Sequence, residues 1–236
     1  MNPPLAIVLA AGEGLRMGGP KALLVVDGQP LVTAHVQRLR EAGCRPIVVV
    51  VRAAIATQVR DMLRETPEAQ VCAADTSSMA ASLVAALGCI APQSTRAVVV
   101  SPIDTLPVRL STLEALLMAV AAPEVHAATP RYQARGGHPI IARESLLQAF
   151  RDGYTGTLRD LLRASEAHRR RLDLDDPEVA SDLDTPSDLS ARRPGLVPQF
   201  VPWVRLTHAR VRLSRVLPND LATASSTECL NASDEA

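Results

Sequence analysis

The sequence predicts an α/β fold, a doubly wound and mostly parallel sheet sandwiched between helices in three layers. Short runs of Val, Ile and Leu alternate with amphipathic segments of helical spacing, the pattern of repeated β-α units. The chain is 47% hydrophobic and 21% charged over 236 residues, enough to close one sizeable core. Its two Tyr, two Phe and one Trp leave that core to Ala, Val, Leu and Ile, which suits strands buried on both faces.

The elements follow in order. Leu5–Ala10 is an apolar run stopped by Gly12, hence a buried first strand. Residues 30–42 place Leu31, Ala34, Val36 and Leu39 at helical spacing and are closed by Gly43. Ile47–Val51 is the second strand, residues 54–65 an arginine-bearing amphipathic helix, and Ala69–Ala73 the third strand. Residues 79–90 form a helix opened by Ser77 or Ser78. A fourth strand at 97–100 precedes a helix at Leu110–Ala121, strands at 126–130 and 139–142, and helices at 143–151 and 156–164. Beyond Leu189 the pattern changes: residues 192–217 hold six arginines and no acid, and 218–236 four acids and no base. The chain thus divides into a domain over 1–190 and an extension over 191–236, basic then acidic. In the extension Phe200, Val201, Trp203, Val204, Leu206, Val211, Leu213 and Val216 are expected to dock on the domain or pair subunits, and the last dozen residues to be disordered.

Composition excludes several functions. The 25 basic and 25 acidic side chains cancel, and so few aromatics provide no stacking platform, so nucleic acid is not an expected partner. Cys44, Cys72, Cys89 and Cys229 lie far apart with no C-x-x-C spacing, as free thiols in a reducing compartment do. The N-terminus has no basic leader region or A-x-A site, and no stretch reaches the roughly 20 apolar residues of a membrane span. A cytoplasmic protein is expected.

Of the 25 basic residues 24 are arginine, and the one lysine, Lys21, stands in the most glycine-rich loop. A compact ammonium is a point charge, where arginine offers a planar fork. Open α/β sheets bind ligands beyond the carboxyl ends of their strands, and two loops fall there. One follows the first strand and carries Gly12, Gly14, Gly18 and Gly19; the other carries Asp104 in Ser101-Pro-Ile-Asp-Thr-Leu-Pro107. Glycine lets backbone amides approach phosphate closely. The loop is neither of two familiar phosphate cradles. A dinucleotide fingerprint would need glycine where Met17 stands, and a P-loop would not tolerate Pro20 before Lys21 or Ala22 after it.

What stands there is Leu9-Ala-Ala-Gly-Glu-Gly-Leu-Arg-Met-Gly-Gly-Pro-Lys21. It resembles, without gaps, the L-A-A-G-x-G-x-R-M-G-x-P-K signature of MobA-like nucleotidyltransferases, closest to the molybdopterin cytidylyltransferases of molybdenum cofactor synthesis. Weaker motifs extend the resemblance to about residue 190. Ser78-Met-Ala-Ala-Ser-Leu83 is similar to G-M-x-x-S-L with serine at the first position, and Pro102-Ile-Asp104 to the family's metal-binding aspartate loop. Arg135-Gly-Gly-His-Pro139 resembles R-x-G-H-P, and Asp182-Leu-Asp-Thr-Pro-Ser-Asp188 resembles D-I-D-T-P-x-D. The chain departs from the family at Gly153-Tyr-Thr-Gly-Thr-Leu-Arg159, where G-D-x-G-A-R is common near the acceptor pocket.

The resemblance implies a Rossmann-like, glycosyltransferase-A-like fold and Mg²⁺-dependent transfer of a nucleotidyl group to a phosphorylated small molecule, with release of pyrophosphate. Lys21 and Arg16 would bind the triphosphate, while Leu9, Ala10, Ala11, Gly12 and Gly14 cradle the nucleotide. Asp75 and Ser82 would meet base or ribose, although Ser82 also suits a helix start. Asp104 would hold Mg²⁺ unless it merely caps the helix near Leu110; Asp184, or alternatively Asp182, is the second carboxylate. Gly137 and His138 would meet the acceptor, unless His138 only anchors its loop. Ala11 favours CTP over GTP, because guanylyltransferases commonly read L-A-G-G there. Molybdopterin is the expected acceptor, with a molybdoenzyme or its chaperone as possible partner. The altered segment at Gly153 keeps other acceptors in play: a phosphonate, a small phosphorylated alcohol or acid, or a sugar phosphate. A cofactor carrier without turnover is the reading from another class. His35 is expected on a helix surface, the acids of 173–178 are expected at the surface, and His126, His168 and His208 share no metal-ligand spacing.

Overall fold

The computed structural model describes the backbone of residues 2–207 and 210–214. One sheet dominates. Its strands β1 (Leu5–Ala10), β4 (Ile47–Val51), β5 (Ala69–Ala73), β6 (Ala97–Pro102), β7 (Ala127–Tyr132), β9 (Ile140–Arg143) and β10 (Arg169–Asp173) run in the order β10-β7-β9-β6-β1-β4-β5. A short β8 (Arg135–Gly136) folds back on β7, and a hairpin of β2 (Leu24–Val26) and β3 (Gln29–Pro30) lies beside the sheet. Along the main path only β9 is antiparallel, inserted between β6 and β7.

The helices are α1 (Leu31–Glu41), α2 (Ala53–Leu63), α3 (Met79–Gly88), α4 (Leu110–Ala121), α5 (Glu144–Arg151), α6 (Leu158–Ala164) and α7 (Pro186–Arg192). Alternation along β1 divides them into two layers, because successive side chains leave a strand on opposite faces. Ala6, Val8 and Ala10 pack with Val32, Val36, Val59 and Leu116 of α1, α2 and α4. Leu5, Ile7 and Leu9 pack with Leu83, Leu147, Phe150 and Leu162 of α3, α5 and α6. These are the three layers expected. Among the described residues no helix is long and apolar enough to cross a membrane.

Several boundaries move for identifiable reasons. α3 stops at Gly88, two residues early, and α6 begins at Leu158 because Thr157 and Asp160 form a capping box. β10, α7 and the β2–β3 hairpin carry little apolar periodicity; the hairpin is turned by Asp27 and Gly28, both at positive φ.

Two surface assignments are overturned. His35 is 3% exposed, with Nε2 donating to the Thr105 carbonyl at 2.8 Å and Nδ1 accepting from Ser101 Oγ at 3.3 Å. The polar loop after β6 supplies the partners that let an imidazole sit in the core. Burial pushes its pKa down to about 4, against the raising effect of the Thr105 bond. The native state therefore resists a proton that the unfolded chain takes up below about pH 6.5. Stability should fall by about 3 kcal/mol from pH 6.5 to pH 4 in the wild type beyond any change in His35→Gln. Parallel denaturant titrations of both proteins measure it; curves of the same shape would refute it. The other is Asp176, 1% exposed, whose Oδ2 accepts from Arg109 N and Thr112 Oγ1, each at 2.7 Å. It closes the first turn of α4, so Asp104 is not that helix's cap.

The chain stays docked past residue 190. The proposed boundary falls inside α7, whose Leu189 is fully buried, and Arg193 pairs with Asp27 at 3.0 Å. β11 (Gln199–Phe200) pairs with β2, Val201 N donates to the Leu23 carbonyl at 2.9 Å, and Gln58 Nε2 donates to the Pro202 carbonyl at 2.6 Å. Trp203, 8% exposed, joins the core, so docking is seen for Phe200, Val201 and Trp203. Trp203 begins an antiparallel pair of β12 (Trp203–Thr207) and β13 (Arg210–Ser214). The side chains of Val204, Leu206, Val211 and Leu213, together with His208, Val216 and the last dozen residues, lie outside the described residues.

Candidate active site

The glycine loop leaves β1 and closes on a single carbonyl. Gly14 O accepts from the amides of Met17, Gly18 and Gly19 at 3.0, 3.0 and 3.1 Å. Gly14 has φ +63°, and a Cβ there would lie 1.8 Å from Gly19 O, so only glycine fits. A 3-10 turn at Lys21–Leu23 then aims Lys21 back across the loop. Lys21 Nζ lies 2.8 Å from Asp184 Oδ1, and Arg16 Nη2 lies 2.9 Å from Asp184 Oδ2. The Lys21 bond and then both charges hold the Asp184 carboxyl below its ordinary pKa.

Asp184 is fixed from behind. Its amide donates to Asp188 Oδ2 at 3.1 Å, within the capping box that Thr185 and Asp188 build at the start of α7. The neighbouring Leu183 amide donates to the Asp104 carbonyl at 2.6 Å and so ties the two acidic loops together. β1 and β6 are adjacent in the sheet, and the chain leaves them in opposite directions: β1 leads outward to β4, β6 toward the β9 side. Their carboxyl ends mark the switch point where such sheets bind ligands.

A cavity of about 510 Å³ opens there, and Leu9, Ala11, Gly12, Gly14, Arg16, Lys21, Ser82, Asp104 and Asp184 all line it. Of the residues expected at the nucleotide, Ala10 and Asp75 do not. Ala10 alternates to the other face of β1 and is buried in the opposite core layer. Asp75 turns to the start of α2, accepting from Ala53 N at 3.3 Å and pairing with Arg52 at 3.6 Å. Gly137, His138 and Asp182 line a second cavity of about 920 Å³, which meets the first at Ser78 and Met79. Asp184, not Asp182, shares the first cavity with Asp104.

Ser78 is the N-cap of α3, accepting from Ala81 N at 3.1 Å, and Ser82 Oγ lies 2.5 Å from Thr76 Oγ1. Ser82 thus belongs to a hydroxyl cluster on the cavity wall as well as to a helix start. Thr76, Ser77 and Met79, not among the expected site residues, also line that wall, and five arginines line the second cavity. The arginines of β7 to β10 were legible only as charges until the sheet order brought them together.

The first cavity presents Arg16 and Lys21 against Glu13, Asp104 and Asp184. That balance cannot neutralise a triphosphate without a further cation. Asp104's carboxylate makes no hydrogen bond or ion pair among the described residues, and it shares the cavity with a second carboxylate. Two oxygen donors without His or Cys fit Mg²⁺, which keeps waters and substrate phosphates in its shell. No cluster of three or more His, Cys, Asp or Glu able to enclose a metal occurs among the described residues. His126 and His168 stack on one another with ring centroids 4.3 Å apart.

The sequence profile of the MobA-like NTP transferase domain matches residues 6–171. A probable molybdenum cofactor guanylyltransferase of Opitutus terrae is 49% identical over 53 residues, 22% of this chain and only 26% of that protein's length. Nicotine blue oxidoreductase of Paenarthrobacter nicotinovorans is 30% identical over 190 residues, 76% of this chain and 91% of that one. A manganese complex of Rv0371c from Mycobacterium tuberculosis H37Rv has the same fold, with TM-score 0.65, 23% identity, and coverage of 83% of this chain and 100% of that chain.

Proposed function

The chain belongs to the MobA-like NTP transferase family and is a nucleotidyltransferase, and from that premise we propose that it transfers CMP from CTP to the phosphate of molybdopterin. The observation that carries this reading is the grouping of Lys21, Arg16, Asp104 and Asp184 in one cavity at the switch point. A pure carrier needs no such combination of phosphate-binding cations and a free carboxylate.

An oxygen of the acceptor phosphate attacks the α-phosphorus in line, forming one P–O bond as the bond to the β-phosphate oxygen breaks and pyrophosphate leaves. Little covalent work falls to side chains; positioning and charge do most of it. The Gly12–Gly14 backbone leaves room for phosphate to approach, and the Thr76–Ser82 wall receives base and ribose. Lys21 and Arg16 neutralise the triphosphate as charge moves toward the leaving group. Asp104 and Asp184 are the groups that would hold Mg²⁺, whose chemistry is Lewis-acid stabilisation of charge on the phosphoryl oxygens. Asp184 would hold the cation, and Lys21 and Arg16, which it pairs with here at 2.8 and 2.9 Å, would serve the phosphates. Gly137 and His138 face the acceptor from the second cavity.

Ala11 supports CTP, while the name of the Opitutus relative favours GTP, so the donor is tested directly. Pyrophosphate release is measured with each of the four nucleoside triphosphates and Mg²⁺, with and without molybdopterin. Release that needs CTP and molybdopterin together is expected. Release with GTP alone among the donors would overturn the base assignment, and no acceptor-dependent release would overturn molybdopterin.

A further inference from the structure

We propose that Cys72 and Cys89 form a reversible intramolecular disulfide, a redox-dependent staple between β5 and the end of α3, made by exchange with a small-molecule disulfide. This goes beyond the nucleotidyltransferase reading and does not rest on it.

The sequence gives the two thiols no C-x-x-C spacing; the fold brings them together. β5 is an edge of the main sheet, so its residues lie at the margin of the molecule. Among the residues of β5, Cys72 alone packs into the layer of α3, while Ala69 and Val71 pack on the opposite face. α3 ends at Gly88, and Cys89 is its exposed C-cap. Both sulfurs bond the same acceptor: Cys72 Sγ donates to the Ala85 carbonyl at 3.8 Å and Cys89 Sγ at 3.3 Å. Two thiols that share one carbonyl oxygen are neighbours in space, and each feels the other. Burial first, then the hydrogen bond and charge of Cys89, push the Cys72 thiol up to about 11. Cys44 is not a competitor. It is fully buried in the other core layer, where burial pushes its thiol up to about 12. Cys229 lies outside the described residues and is followed separately in the test.

Exposure sets the order of the two steps, because the thiolate is the nucleophile and it must reach the reagent. Cys89 stands at the surface, whereas Cys72 is half-buried and held as the thiol near neutral pH. The Cys89 sulfur attacks one sulfur of the reagent, the reagent's S–S bond breaks, and a first small thiol leaves with the Cys89 proton. The Cys72 sulfur then attacks Cys89 Sγ, the mixed S–S bond breaks, and a second small thiol leaves with the Cys72 proton. The protein loses two electrons and two protons, and one reagent disulfide becomes two thiols. Cys72 is a slow first nucleophile but an adequate second one. In the mixed disulfide Cys89 no longer carries a charge that opposes ionisation of Cys72, and the attack is intramolecular.

The loop so closed runs from β5 through Thr76, Ser77 and Ser78 to the end of α3. That unit is the hydroxyl-bearing wall of the first cavity, yet neither cysteine lines either of the two cavities of the site. The bond would fasten the wall from behind without entering the site, and would restrict the unfolded chain more than the folded one.

The test exposes the full chain to oxidised glutathione, blocks the remaining thiols by alkylation and maps the peptides by mass. Trypsin cuts after Arg64 and Arg96 and meets no Lys or Arg between them, so Cys72 and Cys89 fall in one peptide, apart from Cys44 and Cys229. That peptide should come out lighter by two hydrogen atoms and unalkylated, and dithiothreitol should restore both thiols. Cys72→Ser should stop at a glutathione adduct on Cys89, and Cys89→Ser should leave Cys72 unmodified under the same conditions. The oxidised wild type should melt about 6 to 12 °C above the reduced chain, a rise absent from both variants. Two alkylated thiols in that peptide, a bond from either cysteine to Cys229 or to a second chain, or a staple that leaves the melting temperature unchanged would each overturn the proposal. The wild-type map needs no variant to fold, and none of these readouts uses nucleotidyl transfer, whose failure appears separately as absence of pyrophosphate release.

Discussion

Asp104→Ala is expected to lower turnover by about three orders of magnitude while leaving the fold and its melting temperature unchanged. The second half of that expectation follows from bonding. Asp104's carboxylate makes no hydrogen bond or ion pair among the described residues, and the part of the residue that does structural work, the carbonyl that accepts from Leu183, survives the substitution. Its removal also orphans no buried donor, the usual source of large destabilisation. The loss should appear in kcat, and raising the Mg²⁺ concentration should recover little of it. A variant that turns over within tenfold of wild type would remove Asp104 from the site.

Lys21→Arg should be nearly as damaging as Lys21→Gln, each costing about 10²- to 10³-fold in kcat/KM with CTP. Lys21's side chain is only 12% exposed and lies on a turn fixed by the closed glycine loop, so a wider planar group cannot take the same place. Steady-state kinetics on the two variants decides the point: if arginine restores most of the activity, charge alone matters and the argument from geometry fails. The one lysine among so many arginines is then explained by the space available to it.

How much of this was legible before the structure depends on the kind of signal. The strands β1, β4 and β6 announce themselves because they are buried on both faces and read as apolar runs rich in Val, Ile, Leu and Ala. The short β9 is apolar enough to be read as a strand, but its antiparallel direction is set by tertiary pairing with β6 and β7, which no local pattern encodes. Arg16, Lys21, Asp104 and Asp184 came to light through a motif whose spacing reflects one cavity. Ala10 and Asp75 lie off the first cavity for simple reasons: alternation along a strand turns Ala10 to the other face, and Asp75 pairs with Arg52 and the start of α2. His35 was misplaced because an imidazole on a helix is usually solvated, and its partners Ser101 and Thr105 are about 70 residues away. The arginines of the second cavity were scattered for the same reason, since Arg135 of β8 and Arg159 of α6 meet only through tertiary packing.

The docked segment that ends at Trp203 has a consequence for how the protein is made. The signature loop is translated well before the residues that back it: a Cβ on Gly19 would meet the Trp203 ring at 2.5 Å, and Lys21's partner Asp184 lies 163 residues downstream. At about 5–20 residues per second, the loop waits on the ribosome for roughly 10 to 35 s before Asp184 and Trp203 follow it out. Until then the nascent chain displays Arg16 and Lys21 without their counterion and the glycine turn without its aromatic backing. Assembly of this cavity wall thus waits for residues 184–203, so a chain truncated short of Asp184 exposes the signature loop without its acidic partner.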